Sequence, residues 1–265
     1  RQTRDLSPPP KYAEIFWKSC YVATFMNRSR SFLSQLWDDF LEGFLAPTCH
    51  CCGKKTAWRA VLCGECLMQI SGRLHAPELV SDVSCRCPIY TLGNYEGPLG
   101  KLVQIAKFRP SRRIFPLLKP YIISVLETGW VQGEKPILIP VPLSSARETR
   151  RGFNQARLLA EIIAERWNCL ISPALVRTRL TRPQVECDET ERQSNLRGAF
   201  SIAPQLLAGQ FRQSSLILID DVATTGHTLD ECAKTLEPLN PASVHALTLA
   251  HSYRRIRKHS LMAEN

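Results

Sequence analysis

The fold is decided by the stretch Leu216-Ile-Leu-Ile-Asp-Asp-Val-Ala-Thr-Thr-Gly-His-Thr228. Its four leading apolar residues predict a buried strand, because a parallel strand that is covered on both faces reads as an unbroken apolar run. Asp220 and Asp221 follow at the carboxyl end of that strand, and a helix is predicted from Leu229 to Leu236. Ligands of open α/β sheets bind where the strands end, so this stretch predicts a binding site.

The residues between the predicted strand and helix suit a sugar phosphate. The N-terminus of a helix presents backbone N–H groups to an anion. Gly226 lets the backbone approach closely, and Thr224, Thr225 and Thr228 add hydroxyl donors. The two carboxylates can accept hydrogen bonds from ribose hydroxyls and face a hydrated Mg²⁺. We therefore expect the acids at the ribose and the loop at its 5′-phosphate.

Two other interpretations compete with this one. An apolar strand that ends in two acids is also typical of a Walker B strand, but that strand needs a Gly-x-x-x-x-Gly-Lys-Ser/Thr loop, and the chain has none. A structural turn whose hydroxyls merely cap the helix would explain one threonine. It would not explain two acids followed by Thr-Thr-Gly-x-Thr, so the pattern favours the binding site.

Length and composition allow one sizeable domain plus a small module. The chain has 265 residues, of which 44% are hydrophobic. Its net charge of +10 favours polyanionic partners such as nucleic acid or phosphorylated metabolites, although a basic surface also serves solubility alone. No signal peptide is visible, and the apolar residues 12–26 are too short to span a bilayer. We expect a cytoplasmic protein with reduced thiols and no membrane span.

Two Cys-x-x-Cys pairs predict a small metal-binding module. Each pair forms a tight turn that points two thiolates at one place, and two such turns give the tetrahedral sulfur site that suits Zn²⁺. The alternatives are scattered free cysteines or a redox dithiol. A module this small would take its folding energy from the metal. The predicted ligands are Cys49, Cys52, Cys63 and Cys66.

Three further cysteines stand near this set. Cys51 could replace a neighbouring ligand, and Cys85 and Cys87 form a second close pair that could join the site. Four ligands already complete a structural zinc site without them. Their part in metal binding is left open by the sequence.

The rest of the chain predicts a mostly parallel α/β sheet. Strands are expected near residues 90, 137, 216 and 244, with helices over 97–108, 113–127 and 153–166 between them. After Pro140-Val-Pro142 a basic loop precedes the third of these helices, and it suits a multiply charged anion better than a merely solvated helix entry. The basic loop contains Arg147, Arg150, Arg151 and Gly152.

Residues 176–200 form a long polar stretch with little periodicity. Inside a compact domain such a stretch is usually a functional loop or lid. A lid would be useful in phosphoribosyl transfer, because water would trap an oxocarbenium-like state.

The stretch 216–228 resembles the phosphoribosyl pyrophosphate (PRPP) motif of type I phosphoribosyltransferases. Over roughly residues 40–251 the order of motifs resembles the ComF family, with its ComFC and GntX types. Cys85, Cys87 and residues 1–40 lie outside the matching pattern. The motifs are the paired Cys-x-x-Cys, Tyr95-Glu-Gly97, Lys107-Phe108, Pro140-Val-Pro-Leu143, Arg151-Gly-Phe-Asn-Gln155, Arg177-Thr-Arg179 with Thr181 and Gln184, Asn195-Leu-Arg-Gly-Ala-Phe200 and the PRPP motif.

The resemblance implies a type I phosphoribosyltransferase fold, Mg²⁺-dependent use of PRPP, and an enzyme whose acceptor is unknown. It implies that Asp220 and Asp221 are catalytic and hold the ribose 2′- and 3′-hydroxyls. The other implied site residues fall into three sets. The PRPP-binding set, in which residues 224–228 hold the 5′-phosphate, adds Ala223, Thr224, Thr225, Gly226, His227 and Thr228 to the two acids; the pyrophosphate set is Arg147, Arg150, Arg151 and Gly152; the flexible-loop set is Arg177, Thr181, Gln184 and Asn195.

The chain is expected to divide into four segments. Residues 1–40 form a partly helical extension, 41–88 the zinc-ribbon module, 89–252 the phosphoribosyltransferase-like domain and 253–265 a basic tail. The family is associated with natural transformation, where it acts on incoming single-stranded DNA, so DNA and competence proteins are implied partners. The alternatives to a transferase are a non-catalytic PRPP-binding regulator and a nucleic-acid-binding competence factor.

Overall fold

The structure is a computed structural model that describes residues 47–57, 60–108, 114–126, 135–178, 198–206 and 208–252. The chain divides into two compact units, Arg1–Gly72 and Arg73–Asn265. The predicted zinc module was drawn to residue 88, and residues 73–88 of it lie in the second unit. The predicted helical extension 1–40 and basic tail 253–265 lie outside the described residues.

The described part of the first unit is built around two turns and one helix. The first turn closes through a hydrogen bond from the Gly53 N–H to the Cys49 carbonyl, with Gly53 at a φ of 77°. Glycine suits this left-handed conformation, which costs other residues about 1–2 kcal/mol. Helix α1, Gly64–Ser71, begins directly after Cys63. The first Cys-x-x-Cys pair therefore lies in a tight turn, and the second lies at the start of helix α1.

A six-stranded sheet forms the centre of the second unit. The strands lie in the order β1-β2-β8-β7-β3-β4, with β1 antiparallel to β2 and all other neighbours parallel. This arrangement confirms the predicted mostly parallel α/β sheet. The strands are β1 Leu74–Leu79, β2 Ile89–Gly93, β3 Ile137–Pro140, β4 Leu170–Ile171, β7 Ser215–Ala223 and β8 Ser243–His251.

In the described part of the second unit, five helices pack around this sheet or lead into it. Helix α5 packs against β3 and β7, α3 packs against α5, and α6 packs against β7. Leu216 and Leu218 belong to the core on the α6 side. Among the helices that the structure describes, none is long and apolar enough to cross a membrane. The helices are α2 Gly97–Phe108, α3 Ile114–Val125, α4 Ser145–Arg151, α5 Gln155–Trp167 and α6 His227–Leu236.

The two ends of the predicted lid pair with each other. Strands β5, Leu175–Arg177, and β6, Phe200–Ile202, form an antiparallel two-stranded sheet. Arg177 stands opposite Phe200, with its guanidinium carbon 5.3 Å from the centre of the phenylalanine ring. Residues 179–197, which include the predicted Thr181, Gln184 and Asn195, lie outside the described residues.

Two local predictions were wrong. Strand β7 does not end before the acids but continues through them to Ala223, because Asp220 pairs with Thr248 and Ala223 with His251 in the neighbouring strand β8. The predicted basic loop is helical over Ser145–Arg151 and closes on Gly152, whose φ of 72° ends helix α4. A left-handed glycine is a common helix C-terminus.

Candidate functional site

The candidate site lies where β7 turns into α6. Only residues 224–226 separate the strand from the helix, and Gly226 has a φ of 76°. The first turn of a helix carries N–H groups without an acceptor inside the helix. Thr224 is exposed and Thr225 and Thr228 are partly exposed. The stretch 224–228, called here the 224–228 loop, therefore offers backbone and hydroxyl donors at the carboxyl edge of the sheet.

The two acids differ in their surroundings. Asp220 accepts a hydrogen bond from the Asp221 backbone N–H at 2.8 Å. Asp221 is buried, and its Oδ2 lies 3.2 Å from the Lys107 Nζ of helix α2. Removal of the Asp220 carboxyl from water, reinforced by the charge of Asp221, raises its pKa to about 7, while Lys107 acts in the opposite direction. The Asp220 carboxyl therefore takes up or releases its proton near neutral pH.

Arg151 connects helix α4 with the acids. It is 9% exposed, and its NH1 donates to the Gln155 side-chain oxygen at 3.1 Å. Gln155 in turn donates from Nε2 to the Ala106 carbonyl at 2.9 Å. Burial lowers the pKa of Arg151, and the charges of Asp221 and Asp220 act against that shift. Arg151 is thus a cation held in fixed position near both acids, and its buried Nε has no hydrogen-bond partner within the described protein.

Two further arginines contribute positive charge on the Asp220 side. Burial lowers the pKa of Arg147, and so does the neighbouring Arg150 charge. Burial also lowers the pKa of Arg177, which interacts with the charges of Arg147 and Asp220. A desolvated cluster of guanidinium groups is well suited to a multiply charged anion, since the planar donors match phosphate oxygens.

The predicted site residues differ in their burial and in their distance from the acids. Arg147, Arg151 and Arg177 are brought within electrostatic reach of the acids or of each other. Arg150 and Gly152 are exposed at the end of helix α4. Ala223 is the last residue of β7, and its carbonyl lies 3.1 Å from Nδ1 of the buried His251.

A further segment borders the site, and the sequence analysis did not predict it. Residues 80–88, called here the 80–88 connection, join β1 to β2. Asp82 Oδ1 lies 2.8 Å from the His251 Nε2. A Cβ on Gly226 would overlap Cγ1 of Val83, so a larger residue there requires Val83 to move. The Arg86 N–H donates to Asp230 Oδ1 at 2.9 Å, in the first turn of α6. Nothing in the local sequence signals these contacts.

Lys107 and Gln155 were also absent from the predicted site residues. Both do fall within the ComF motifs, at Lys107-Phe108 and at the end of Arg151-Gly-Phe-Asn-Gln155. Their presence in these motifs could have identified both residues as candidates. Their contacts join residues that are far apart in the chain, Lys107 with Asp221 and Gln155 with Ala106.

The four predicted metal ligands come together in the first unit. Their sulfur atoms all lie within 4.8 Å of one another, and the Cys52 and Cys63 sulfurs are 3.6 Å apart. Sulfurs bound to one tetrahedral zinc ion lie roughly 3.8 Å apart. Cys51 is buried but does not belong to this cluster, and Cys85 and Cys87 lie in the other unit. The arrangement could hold one metal ion.

Burial works against thiolate formation in this cluster, but the backbone N–H groups of Cys63, Cys52 and Cys51 outweigh it at one position. They lower the pKa of Cys49 to about 6. The pKa of Cys66 is raised by burial and by hydrogen bonding with the Cys52 and Cys63 sulfurs. The cluster thus favours at least one thiolate even before a metal binds, which is the form that coordinates zinc.

Comparison with known proteins agrees with this architecture. The sequence pattern of the phosphoribosyl transferase domain matches residues 152–261. Competence protein F of Haemophilus influenzae is 32% identical over 212 residues, which cover 78% of this chain and 85% of that protein. DNA utilization protein YhgH of Escherichia coli (strain K12) is 30% identical over 217 residues, covering 77% and 90%. Competence protein ComFC of Bacillus subtilis is 36% identical over 121 residues, covering 44% and 45%.

The sheet, its helices and the matched domain define a protein of the phosphoribosyltransferase fold with a four-cysteine cluster in its N-terminal unit. Within that class the chain belongs to the ComF family.

Proposed function

We propose that this chain is a cytoplasmic phosphoribosyltransferase that binds PRPP with Mg²⁺ and acts in natural transformation, on internalised single-stranded DNA. Its acceptor is unidentified. The observation that carries the proposal is the meeting of an acid pair, a helix N-terminus, the buried Arg151 and the partly buried Arg147 near the carboxyl edge of one sheet. The role in transformation is supported by the names of the relatives, which are competence and DNA utilization proteins.

The proposed binding mode divides PRPP into three parts. The 224–228 loop binds the 5′-phosphate through backbone and hydroxyl donors. Asp220 and Asp221 accept hydrogen bonds from the ribose 2′- and 3′-hydroxyls. The pyrophosphate is bound by Arg147, Arg150 and Arg151, with the Gly152 backbone. Only two of these arginines are shielded from water, so Arg147 and Arg151 contribute more binding energy than the exposed Arg150.

The proposed chemistry is electrostatic. Positive charge develops on the ribose ring as the pyrophosphate leaves, and the ionised acids favour that charge. The oxygen donors of Asp220 and Asp221 are of the kind that Mg²⁺ prefers, directly or through its waters, and the ion supplies charge neutralisation of the leaving group. Lys107 forms an ion pair with Asp221 and also lowers the pKa of Asp220, which favours the ionised form of the Asp220 carboxyl. No covalent enzyme nucleophile is needed, because the acceptor supplies its own.

Calorimetric titration with PRPP and Mg²⁺ tests this proposal. Saturable binding is expected for the wild type, and its loss in the variant that carries both Asp220→Asn and Asp221→Asn. Glu161→Gln, which removes an exposed acid from helix α5, is the matched control and should bind normally. Equal PRPP affinity in the wild type and the double variant would overturn the assignment of the acids.

Two further measurements separate the transferase from its alternatives. Release of pyrophosphate in the presence of Mg²⁺ and candidate acceptors distinguishes turnover from a non-catalytic PRPP-binding regulator. Fluorescence anisotropy with a labelled single-stranded oligonucleotide, with and without PRPP, tests the DNA partner. DNA binding by a folded protein that does not bind PRPP would favour the nucleic-acid-binding competence factor.

We also propose that the four-cysteine cluster holds a structural zinc ion. Four sulfur donors at mutually close positions are the donor set that suits Zn²⁺. Bound zinc would stabilise a unit whose described part contains one eight-residue helix.

A further inference from the structure

The 80–88 connection contains a pair of thiols that no part of the proposed function uses. The sulfur atoms of Cys85 and Cys87 lie 3.5 Å apart. The chain bends at Arg86 and Cys87, which turns both side chains to the same side. A disulfide needs a sulfur separation of about 2.05 Å, so the two atoms must approach by roughly 1.5 Å. This distance is short enough to close by a local change in the connection.

The two thiols differ in accessibility. Cys85 is partly exposed, whereas Cys87 is 3% exposed. The Cys87 thiol hydrogen-bonds to Cys85 and lowers the pKa of Cys85, while the same contact and burial raise the pKa of Cys87. An accessible thiol of lowered pKa beside a buried partner is the arrangement of a reactive dithiol, in which the first thiol attacks and the second resolves.

The connection that carries these thiols is attached to the 224–228 loop and the helix behind it. Val83 packs on the backbone of Gly226, and the Cys85 Cβ would lie 3.7 Å from a Cβ on Gly226. Arg86 donates from its backbone N–H and from Nε to Asp230 Oδ1, at 2.9 and 3.1 Å. Asp230 itself donates from its N–H to the Gly226 carbonyl. A change in the backbone at residues 85–87 therefore acts directly on Gly226 and Asp230.

We propose that Cys85 and Cys87 are a dithiol–disulfide site, oxidised by low-molecular-weight disulfides, whose closure loosens the 224–228 loop. The proposal goes beyond PRPP binding and concerns the loop as a part of the structure. It therefore stands whether or not that loop binds a phosphate.

The reaction balances as two successive thiol–disulfide exchanges. The Cys85 thiolate attacks one sulfur of the small disulfide, forms a mixed disulfide and releases the other half as a thiolate. The Cys87 thiol then loses its proton and attacks the Cys85 sulfur, which releases the second half. Two electrons pass from the protein thiols to the small disulfide, which leaves as two thiols. Glutathione disulfide is the probe that we would use.

Closure must weaken contacts on both sides of the pair. Moving the sulfurs together reorients residues 85–87, and the hydrogen bonds of Arg86 to Asp230 cannot all follow. The fit of Val83 on Gly226 is already tight, so displacement of the connection uncovers that backbone. We expect amide hydrogen exchange in residues 226–230 to become about tenfold faster in the disulfide form.

Trypsin gives a direct readout of the bond. It cleaves after Arg73, Arg86 and Lys101, so Cys85 and Cys87 leave in separate peptides, 74–86 and 87–101. After treatment of the zinc-loaded full chain with glutathione disulfide and blocking of free thiols, we expect the two peptides as one linked species. Its mass should be lower than the sum of the free peptides by two hydrogen atoms. Dithiothreitol should separate the two peptides.

Matched variants isolate the effect on the loop. Cys87→Ser should give neither the linked species nor faster exchange at residues 226–230. Cys169→Ser, which removes a thiol of the second unit outside the 80–88 connection, should behave as the wild type. The proposal is overturned if the two peptides remain separate after oxidation, or if they are linked while exchange at 226–230 is unchanged. PRPP is absent from both measurements, so failure of PRPP binding is a separate result.

Discussion

Lys107 places its ammonium nitrogen 3.2 Å from Asp221 Oδ2, which joins helix α2 to the acid pair. This charge also acts on Asp220, where it opposes the rise in pKa that burial and Asp221 produce. The lysine thus keeps Asp220 closer to full ionisation than burial and Asp221 alone would allow.

Lys107→Met is expected to raise the pKa of Asp220 further, because the cation that favours the ionised form is lost. The pH midpoint of Mg²⁺-PRPP binding should move upward. Calorimetric titrations at several pH values measure this shift. Lys101→Met, which changes an exposed lysine of the same helix, should leave the midpoint where it is. An unmoved midpoint in the Lys107 variant would show that the ion pair does not control the acids.

PRPP binding is expected to weaken as the pH falls through 7. Asp220 has a pKa of about 7 in the folded protein, and the ribose hydroxyls and Mg²⁺ favour its ionised form. The apparent Kd should rise roughly tenfold between pH 8 and pH 6. Because PRPP phosphates also titrate, the dependence is compared with that of Asp220→Asn. The variant should bind more weakly and lose the part of the pH dependence that belongs to Asp220.

The same carboxyl gives a prediction for stability. The ordinary pKa of 3.8 is raised to about 7 on folding, so between these values the folded chain holds a proton that the unfolded chain has released. The contribution of Asp220 to the free energy of unfolding should therefore fall as the pH rises from about 4 to 7 and change no further above that. Asp220→Asn should flatten this part of the curve in urea titrations, whereas Glu161→Gln should not.

Gly226→Ala is expected to disrupt the 224–228 loop. The φ of 76° strains any other residue by about 1–2 kcal/mol, and the new Cβ would overlap Val83. Gly198→Ala is the control for strain alone, since its φ is 63° and nothing lies within 4 Å of the added carbon. The Gly226 variant should lose more unfolding free energy than the Gly198 variant. Equal losses would mean that Val83 moves aside freely.

The buried and exposed arginines of helix α4 should respond differently to substitution. Arg151→Ala should cost about 1–3 kcal/mol of stability, because Gln155 loses its buried partner. Arg150→Ala, at an exposed position, should stay within about 0.5 kcal/mol of the wild type. Thermal unfolding measures the stability, and pyrophosphate titration tests whether both variants also bind that anion less tightly.

Zinc content tests the cysteine cluster. Cys63→Ser should lose the metal, because three sulfur ligands no longer close the tetrahedral site, and it should expose residues 47–72 to proteolysis. Cys85→Ser removes a thiol outside the cluster and should keep the metal. Elemental analysis of both purified variants measures their zinc content. Zinc retained by Cys63→Ser at the wild-type level would contradict the ligand assignment.

The buried strands could be predicted from sequence because a strand that is buried on both faces has an unbroken run of apolar residues. The four apolar residues before Asp220 are all at most 3% exposed, and the helix Gly97–Phe108 has the predicted bounds. The continuation of β7 through Asp220 and Asp221 could not be predicted in this way, because these residues are polar. It is imposed by pairing of Asp220 with Thr248 in another strand, against the low strand propensity of aspartate.

The site was predicted only as far as local motifs reach. Asp220, Gly226 and Arg151 stand in short patterns whose residue types report their chemistry. The contacts of Lys107 and Val83 depend on the packing of elements that are distant in the chain, and neither residue type is unusual for its position. Strand β1 was not predicted, because proline is unfavourable inside a strand and β1 contains Pro77. The structure places β1 at the edge of the sheet, antiparallel to β2, where proline is tolerated.

The position of β8 has a consequence for synthesis on the ribosome. This strand lies between β2 and β7, yet it is the last strand of the sheet along the chain. Until residues 243–251 have emerged, β2 and β7 each present an unpaired edge of the kind that promotes association between nascent chains. The sheet of the α/β unit can therefore close only after β8 has been made, whereas the cysteine cluster, which precedes the sheet in the chain, is complete before any strand of the sheet has emerged.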